Sequence, residues 1–287
     1  MVVFAVRIEG RVYRGGDNLH GSVEGPLGFA CAGQPRRLSL HESGRFVWHN
    51  LFMCGRYRLS RRKQVVEEYF ESASESISED EEWSPRYNIA PTQPVATVRQ
   101  AGAGRILSIM RWGLVPSWAS DLAVGARHIN GRSETVLEKP AFRESFRARR
   151  CLIPADGFYE WKKAGKQRQP FHFGMKDGSL FAFAGVWDRW RSPAGQVLES
   201  CSILTTAPNE LLADVHDRMP VILPGRHYQI WLTAPAAEAE RLADLLVPFD
   251  ATFMKRYAVS VLVNKPQNEM PECAVEVPNP ETQAQLW

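Results

Sequence analysis

The chain has 287 residues, 44% hydrophobic and 23% charged, with 21 Gly and 19 Pro, which are the proportions of an ordinary globular protein with a sizeable core. No apolar stretch reaches the roughly 18–20 residues that a membrane-spanning helix requires. Five sparse cysteines, at 31, 54, 151, 201 and 273, form no Cys-x-x-Cys pair, which argues against a disulfide scaffold or a structural zinc site and for a reducing, cytoplasmic compartment. The formal charge is +3, but residues 1–52 carry six Arg against four acids, so the rest of the chain is nearly neutral. A case for nucleic acid therefore rests on where individual arginines sit, not on net charge.

In chain order, residues 1–52 open with the apolar run Met1–Val6, which Arg7 and Glu9 interrupt before it reaches the length of a signal-peptide core. The segment shows no sustained period of 2 or 3.6 residues. It is expected to be a leader outside the working domain, either removed or translated from a start placed too early. Ser60, followed by Val65, Val66, Tyr69 and Phe70, predicts a capped amphipathic helix, and the Ser/Glu-rich stretch 72–82 a solvated loop. Strands are predicted at Val95–Arg99, Arg105–Trp112, Phe171–Met175, Leu180–Trp187, Cys201–Thr206 and Tyr257–Val263, and helices at Glu134–Arg149, interrupted by Pro140, and at Ala234–Leu246. Strands outnumber helices without alternating with them, so the expected class is α+β: one β-rich domain of mixed and antiparallel, barrel-like sheets flanked by helices, over 53–275, with a tail at 276–287. The chain has no internal repeat, P-loop or dinucleotide fingerprint.

Four separated stretches place polar residues in apolar or turn-like surroundings: Met53-Cys54-Gly55-Arg56-Tyr57, Asn130-Gly131-Arg132-Ser133-Glu134, Gly157-Phe158-Tyr159-Glu160-Trp161 and His216-Asp217-Arg218-Met219-Pro220. Singly each is weak, since a lone cysteine is usually a buried small hydrophobe and His216-Asp217-Arg218 fits a surface turn. In this order, and with Tyr87-Asn88-Ile89-Ala90-Pro91-Thr92, Met110–Trp118, Cys151-Leu152-Ile153-Pro154-Ala155, Phe183–Trp187 and Thr205–Asn209, they resemble the SOS-response-associated peptidase family, the abasic-site-processing proteins. In that family the initiator Met directly precedes the working Cys and is removed. Here Met53-Cys54 follows 52 residues, and Gly131 stands where Ala is usual.

The resemblance implies a pocket that covalently traps abasic sites in single-stranded DNA, and the residue chemistry agrees. An N-terminal Cys54 offers an α-amine of reference pKa near 7.7–8.0 and a thiol near 8.5 on one Cα. The amine condenses with the ring-opened sugar aldehyde and the thiolate closes a thiazolidine; an internal cysteine has no free amine to do this. By type, His216 suits proton transfer at the ring oxygen, Glu160 a proton relay at the amine, and Asn130 orientation of the aldehyde. Arg56, Arg132 and Arg218 offer forks for phosphates, and Trp112, Pro116 and Trp118 an apolar wedge against bases, with core packing as the alternative for the tryptophans. Thr205 joins the expected DNA-binding set. The aromatic and basic run Phe142–Arg150 is either a solvated helix face or an extension of the DNA track. No cofactor or metal is called for. The expected partners are single-stranded DNA containing abasic sites and replication-fork proteins, with no membrane and a monomeric, nucleoid-associated protein. Three rival readings remain: an N-terminal-nucleophile amidohydrolase, a cysteine peptidase using Cys54, His216 and Asn130, and a non-catalytic single-strand binder using only the arginines and tryptophans.

Overall fold

The computed structural model describes residues 55–74, 83–165 and 167–279. The strands are β1 (Tyr57–Leu59), β2 (Ser72–Ser74), β3 (Arg86–Ile89), β4 (Pro94–Ala101), β5 (Gly104–Trp112), β6 (Asn130–Arg132), β7 (Arg150–Ala155), β8 (Gly157–Ala164), β9 (Gln167–Met175), β10 (Phe181–Arg191), β11 (Val197–Thr206), β12 (Met219–Pro220), β13 (Ile222–Leu223) and β14 (Met254–Ala258). Short helices α1 (Lys63–Phe70), α2 (Arg143–Ala148), α3 (Tyr228–Thr233) and α4 (Ala239–Leu242) pack around them.

Two sheets form. One runs β14-β9-β8-β1-β3. In the other, β11, β10, β7, β4 and β5 pair in succession, and β5 returns to β11 in parallel through Arg111–Ser200 and Trp112–Cys201. That last pairing closes a five-stranded barrel, so five of the strands have no open edge among themselves. The expected α+β, barrel-like class is therefore found. An aromatic seam joins the sheets: Tyr57 meets Trp112 edge-on at 5.4 Å and Phe183 at 5.6 Å, while Phe158 meets Phe183 edge-on at 6.0 Å. Burying such rings removes about 150–250 Å² each from water, which makes this seam a main contributor to the core.

Five of the six predicted strands are present; of the sixth, Tyr257–Val263, only Tyr257 and Ala258 lie in a strand. Residues 254–258 form β14, but 261–264 turn into a 3₁₀ helix because Ser260 Oγ accepts from Leu262 N at 3.2 Å. The helix after Ser60 exists, but Ser60 does not cap it. Its amide and hydroxyl both donate to Asp156 Oδ2, at 3.1 and 2.5 Å, and the helix starts at Lys63 without a side-chain cap. Residues 72–74, expected in a loop, pair in parallel with β5, and 75–82 lie outside the described residues. The helix expected over 134–149 contracts to α2, since Pro140 cannot continue the ladder and 133–142 fold as turns. Phe142 and Phe146 then face the core, whereas Arg143 and Arg147 face solvent. The helix expected over 234–246 breaks into α4 and flanking 3₁₀ turns after Pro235.

Candidate active site

The first and third motifs meet by strand pairing. In β1–β8 Tyr57 opposes Phe158 and Arg58 opposes Gly157, and Tyr159 N–H donates to Arg56 O at 3.0 Å. Glu160 follows two residues after Phe158 on β8. Cys54 lies outside the described residues, but a peptide bond joins it to Gly55, which keeps their Cα atoms about 3.8 Å apart. The pairing is held tight at Gly157. A Cβ there would lie 2.0 Å from His172 Nε2, so no side chain fits without moving the imidazole. Alternation along β8 puts Phe158, Glu160 and Lys162 on one face and Tyr159 and Trp161 on the other. Glu160 is 2% exposed, and burial pushes the Tyr159 hydroxyl pKa well up.

Arg56 is half-buried. Its guanidinium donates to Asn88 Oδ1 at 2.8 Å and Val263 O at 2.6 Å and lies 5.6 Å from the Trp161 ring, and burial lowers its pKa. Asn88 is fully buried and its amide donates to the carbonyls of Val263, Lys265 and Asn268 at 2.9–3.2 Å. Trp161 Nε1 donates to Asn264 Oδ1 at 2.7 Å. The segment 261–268 is thereby fixed beside the entry of β1. Asp156, also buried, accepts from Arg58 Nε at 3.0 Å and from Ser60, and pins the far end of β1.

The second and fourth motifs meet across β11. Asn130 and Arg132 pair in parallel with Ile203 and Thr205, and Thr205 opposes Pro220 of β12 on the other side. Thr205 O accepts from Ser133 N at 2.8 Å and Arg218 Nη2 at 2.6 Å, which uses both of its lone pairs. Arg218 also grips Glu134 with both Nη atoms, and that hydrogen bonding lowers the Glu134 pKa. His216 Nδ1 accepts from Arg218 N–H at 3.0 Å, and it lies 3.2 Å from both Arg218 O and Asp217 Oδ1.

The two halves are joined at Asp214. Lys162 of β8 reaches its Oδ2 at 2.9 Å, and Arg256 of β14 holds both oxygens, with Nη2–Oδ2 at 3.1 Å. The Arg256 hydrogen bonds, with help from Lys162, hold the carboxyl pKa down at about 2.

The structure separates the expected DNA-contacting residues. Arg132 is exposed and Trp118 is 65% exposed, whereas Trp112 is 1% exposed, with its Nε1 donating to Ile129 O at 2.9 Å. Pro116 and Thr205 are buried as well. The wedge expectation is thus corrected: Trp112 and Pro116 belong to the core because β5 carries Trp112 into the barrel closure, and Trp118 is the member with a free ring face. In the run Phe142–Arg150 the last arginine is likewise interior, donating to Trp231 O at 2.6 Å and Phe146 O at 2.8 Å. Sequence reasoning gave Asn88, Asp156 and Asp214 no role. Asn88 lies inside a quoted motif and Asp156 directly precedes another, so both had a positional signal. Asp214 had none.

Among the described residues no group of three or more His, Cys, Asp or Glu is placed to hold a metal ion, and no helix is long and apolar enough to cross a membrane. The structure thus brings the four motifs together in two pairs, the first with the third through β1 and β8 and the second with the fourth across β11, around one closed barrel. The model of the SOS response associated peptidase (SRAP) family matches residues 53–266, and the chain belongs to that family. It is 44% identical over 222 residues to the abasic site processing protein YoqW of Bacillus subtilis (strain 168), covering 77% of this chain and 98% of that protein. It is 34% identical over 233 residues to the abasic site processing protein HMCES of Mus musculus, covering 67% of this chain and 65% of that one. Its fold is similar to a crystal structure of a Bacteroides thetaiotaomicron protein, with a TM-score of 0.71 and 27% identity over 78% of this chain and all of that one.

Proposed function

We propose that this protein captures abasic sites in single-stranded DNA as a covalent adduct on Cys54, shielding the lesion during the response to DNA damage. The observation that supports the reading is the β1–β8 pairing of Tyr57 with Phe158 and Arg58 with Gly157, which lays the strand that follows the first motif beside the strand that carries the buried Glu160. The reacting chain begins at Cys54, within a working domain of 53–275. The ring-opened sugar presents a C1′ aldehyde. The neutral α-amine attacks it, a C–N bond forms, and water leaves to give an imine. The thiolate then adds to the same carbon, the imine nitrogen takes a proton, and a five-membered ring closes. The net change is aldehyde plus aminothiol to thiazolidine plus water.

The side chains divide this work. Glu160 accepts the proton released at the amine, His216 donates at the ring oxygen as the sugar opens, and Asn130 orients the aldehyde oxygen. Arg132 contacts a flanking phosphate, Arg56 and Arg218 support it from partly buried positions, and Trp118 stacks on a base. Peptidase activity in this scheme is confined to removing residues 1–53 or a linked remnant. The protein acts as a monomer in the cytoplasm, at single strands near replication forks.

The test is to mix a chain starting at Cys54 with a single-stranded oligonucleotide carrying one abasic site. Intact mass should equal protein plus DNA less one water, in a heat-stable product. Reversible binding with no covalent mass would return the protein to the class of simple single-strand binders.

A further inference from the structure

Asp214 itself lies outside all four motifs, in the turn 209–216 that ends at His216 of the fourth. Its two cationic partners come from different strands. Lys162 is on β8 and Arg256 on β14, with β9 between them. Both partners and Glu160 lie on one face of this sheet. Glu160 opposes Phe171 across β8–β9, and the Arg256 guanidinium sits 5.6 Å from the Phe171 ring. Arg256 Nη1 also donates to Leu211 O at 2.8 Å, so the turn is gripped at two points. From the other side Asn209 anchors it, accepting from Leu212 N at 3.2 Å and donating to Phe249 O at 2.8 Å. His216 closes the same turn, its N–H donating to Leu212 O at 3.0 Å.

We propose that Asp214 is a positioning residue: through Lys162 and Arg256 it docks the 209–216 turn on the sheet face that displays Glu160, and so sets where His216 stands relative to Glu160. The proposal rests on the crosslinking reading for its kinetic consequence, not for its structural one. The Asp214 side chain is 44% exposed, and an ion pair so open to water adds little to stability. Its effect is geometric. Two opposite-side cations leave the turn one seat on the face, and removing the carboxylate leaves Lys162 and Arg256 repelling each other across that seat. Displacing a reacting group by about 1 Å costs on the order of a hundredfold in rate.

The experiment compares wild type, Asp214→Asn and Asp214→Glu in chains starting at Cys54. Amide hydrogen exchange is followed over 211–216 and over β11, and crosslinking is followed under single-turnover conditions across a range of abasic single-stranded DNA concentrations. We expect Asp214→Asn to speed exchange in 211–216 severalfold while β11 is unchanged, and to lower the maximal crosslinking rate about tenfold with the half-saturating DNA concentration within twofold. Asp214→Glu should recover most of both losses. Unchanged exchange in 211–216 overturns the proposal, as does a loss that falls on half-saturation alone. If wild type forms no adduct, the crosslinking reading fails, and the exchange result alone decides the positioning of the turn.

Discussion

Arg218 and Glu134 meet fork to fork, with Nη2–Oε2 at 2.9 Å and Nη1 paired to Oε1, and this contact ties the second and fourth motifs over the backbone of Thr205. The same guanidinium therefore fastens the two motifs, and in the proposed function it also supports a phosphate of the strand. A carboxylate beside a DNA track repels phosphate. Glu134→Gln should strengthen binding of undamaged single-stranded DNA severalfold and steepen its salt dependence by about 0.7 in logarithmic slope, as one added phosphate contact would. Fluorescence anisotropy at several salt concentrations measures both, and weaker binding with an unchanged slope would mean that Arg218 is a fastener only.

Role separation between thiol and amine is testable at Cys54. Cys54→Ser, made with the amine free, can condense to an imine but forms no thiazolidine. Its adduct should be labile to heat, and strand nicking by β-elimination should rise. A heat-stable serine adduct would rule out ring closure.

His172 is 2% exposed and stacks 4.7 Å from Tyr257. Burial, then the cations Arg58 and Lys255, hold its pKa down at about 3. The folded state keeps the ring neutral while the unfolded chain binds a proton below about pH 6.5. Its contribution is complete above that pH and is lost as pH falls from 6.5 toward 3, by up to about 1.4 kcal/mol per pH unit. His172→Phe should flatten this slope. Urea unfolding of both proteins at pH 7.5 and 4.5 gives the comparison, and parallel losses would show that other groups control acid stability.

Gly157 and His172 form a tight contact. Gly157→Ala drives a methyl into the imidazole and should cost about 1–3 kcal/mol or more, as overpacking does. In a His172→Ala background the same change should cost little. A thermodynamic cycle with no coupling between the two sites would contradict this.

Substrate form follows from charge. The domain after residue 52 is nearly neutral, so it lacks the broad field that holds duplex DNA, and stacking on Trp118 needs exposed base faces. Abasic sites in single strands should crosslink much faster than those in duplex, with tolerance of duplex on one side. Equal rates on single-stranded, junction and duplex substrates at fixed salt would refute it.

The sequence by itself determined the class, the long strands β4, β5, β9, β10 and β11 and the four motifs, because period-2 patterning and residue chemistry are local properties, but it missed the site strands β1, β6, β7 and β8. It overextended the helices at 134–149 and 234–246, since prolines and side-chain-capped turns compete locally with helix and the pattern does not show which prevails. Only the tertiary structure decided which arginines and tryptophans face solvent. Trp112 and Trp118 look alike in the chain, yet barrel closure through β5 and β11 buries the first and leaves the second outside. The same holds for Asp214, whose importance lies in partners 52 and 42 residues away, a relation that no spacing along the chain encodes.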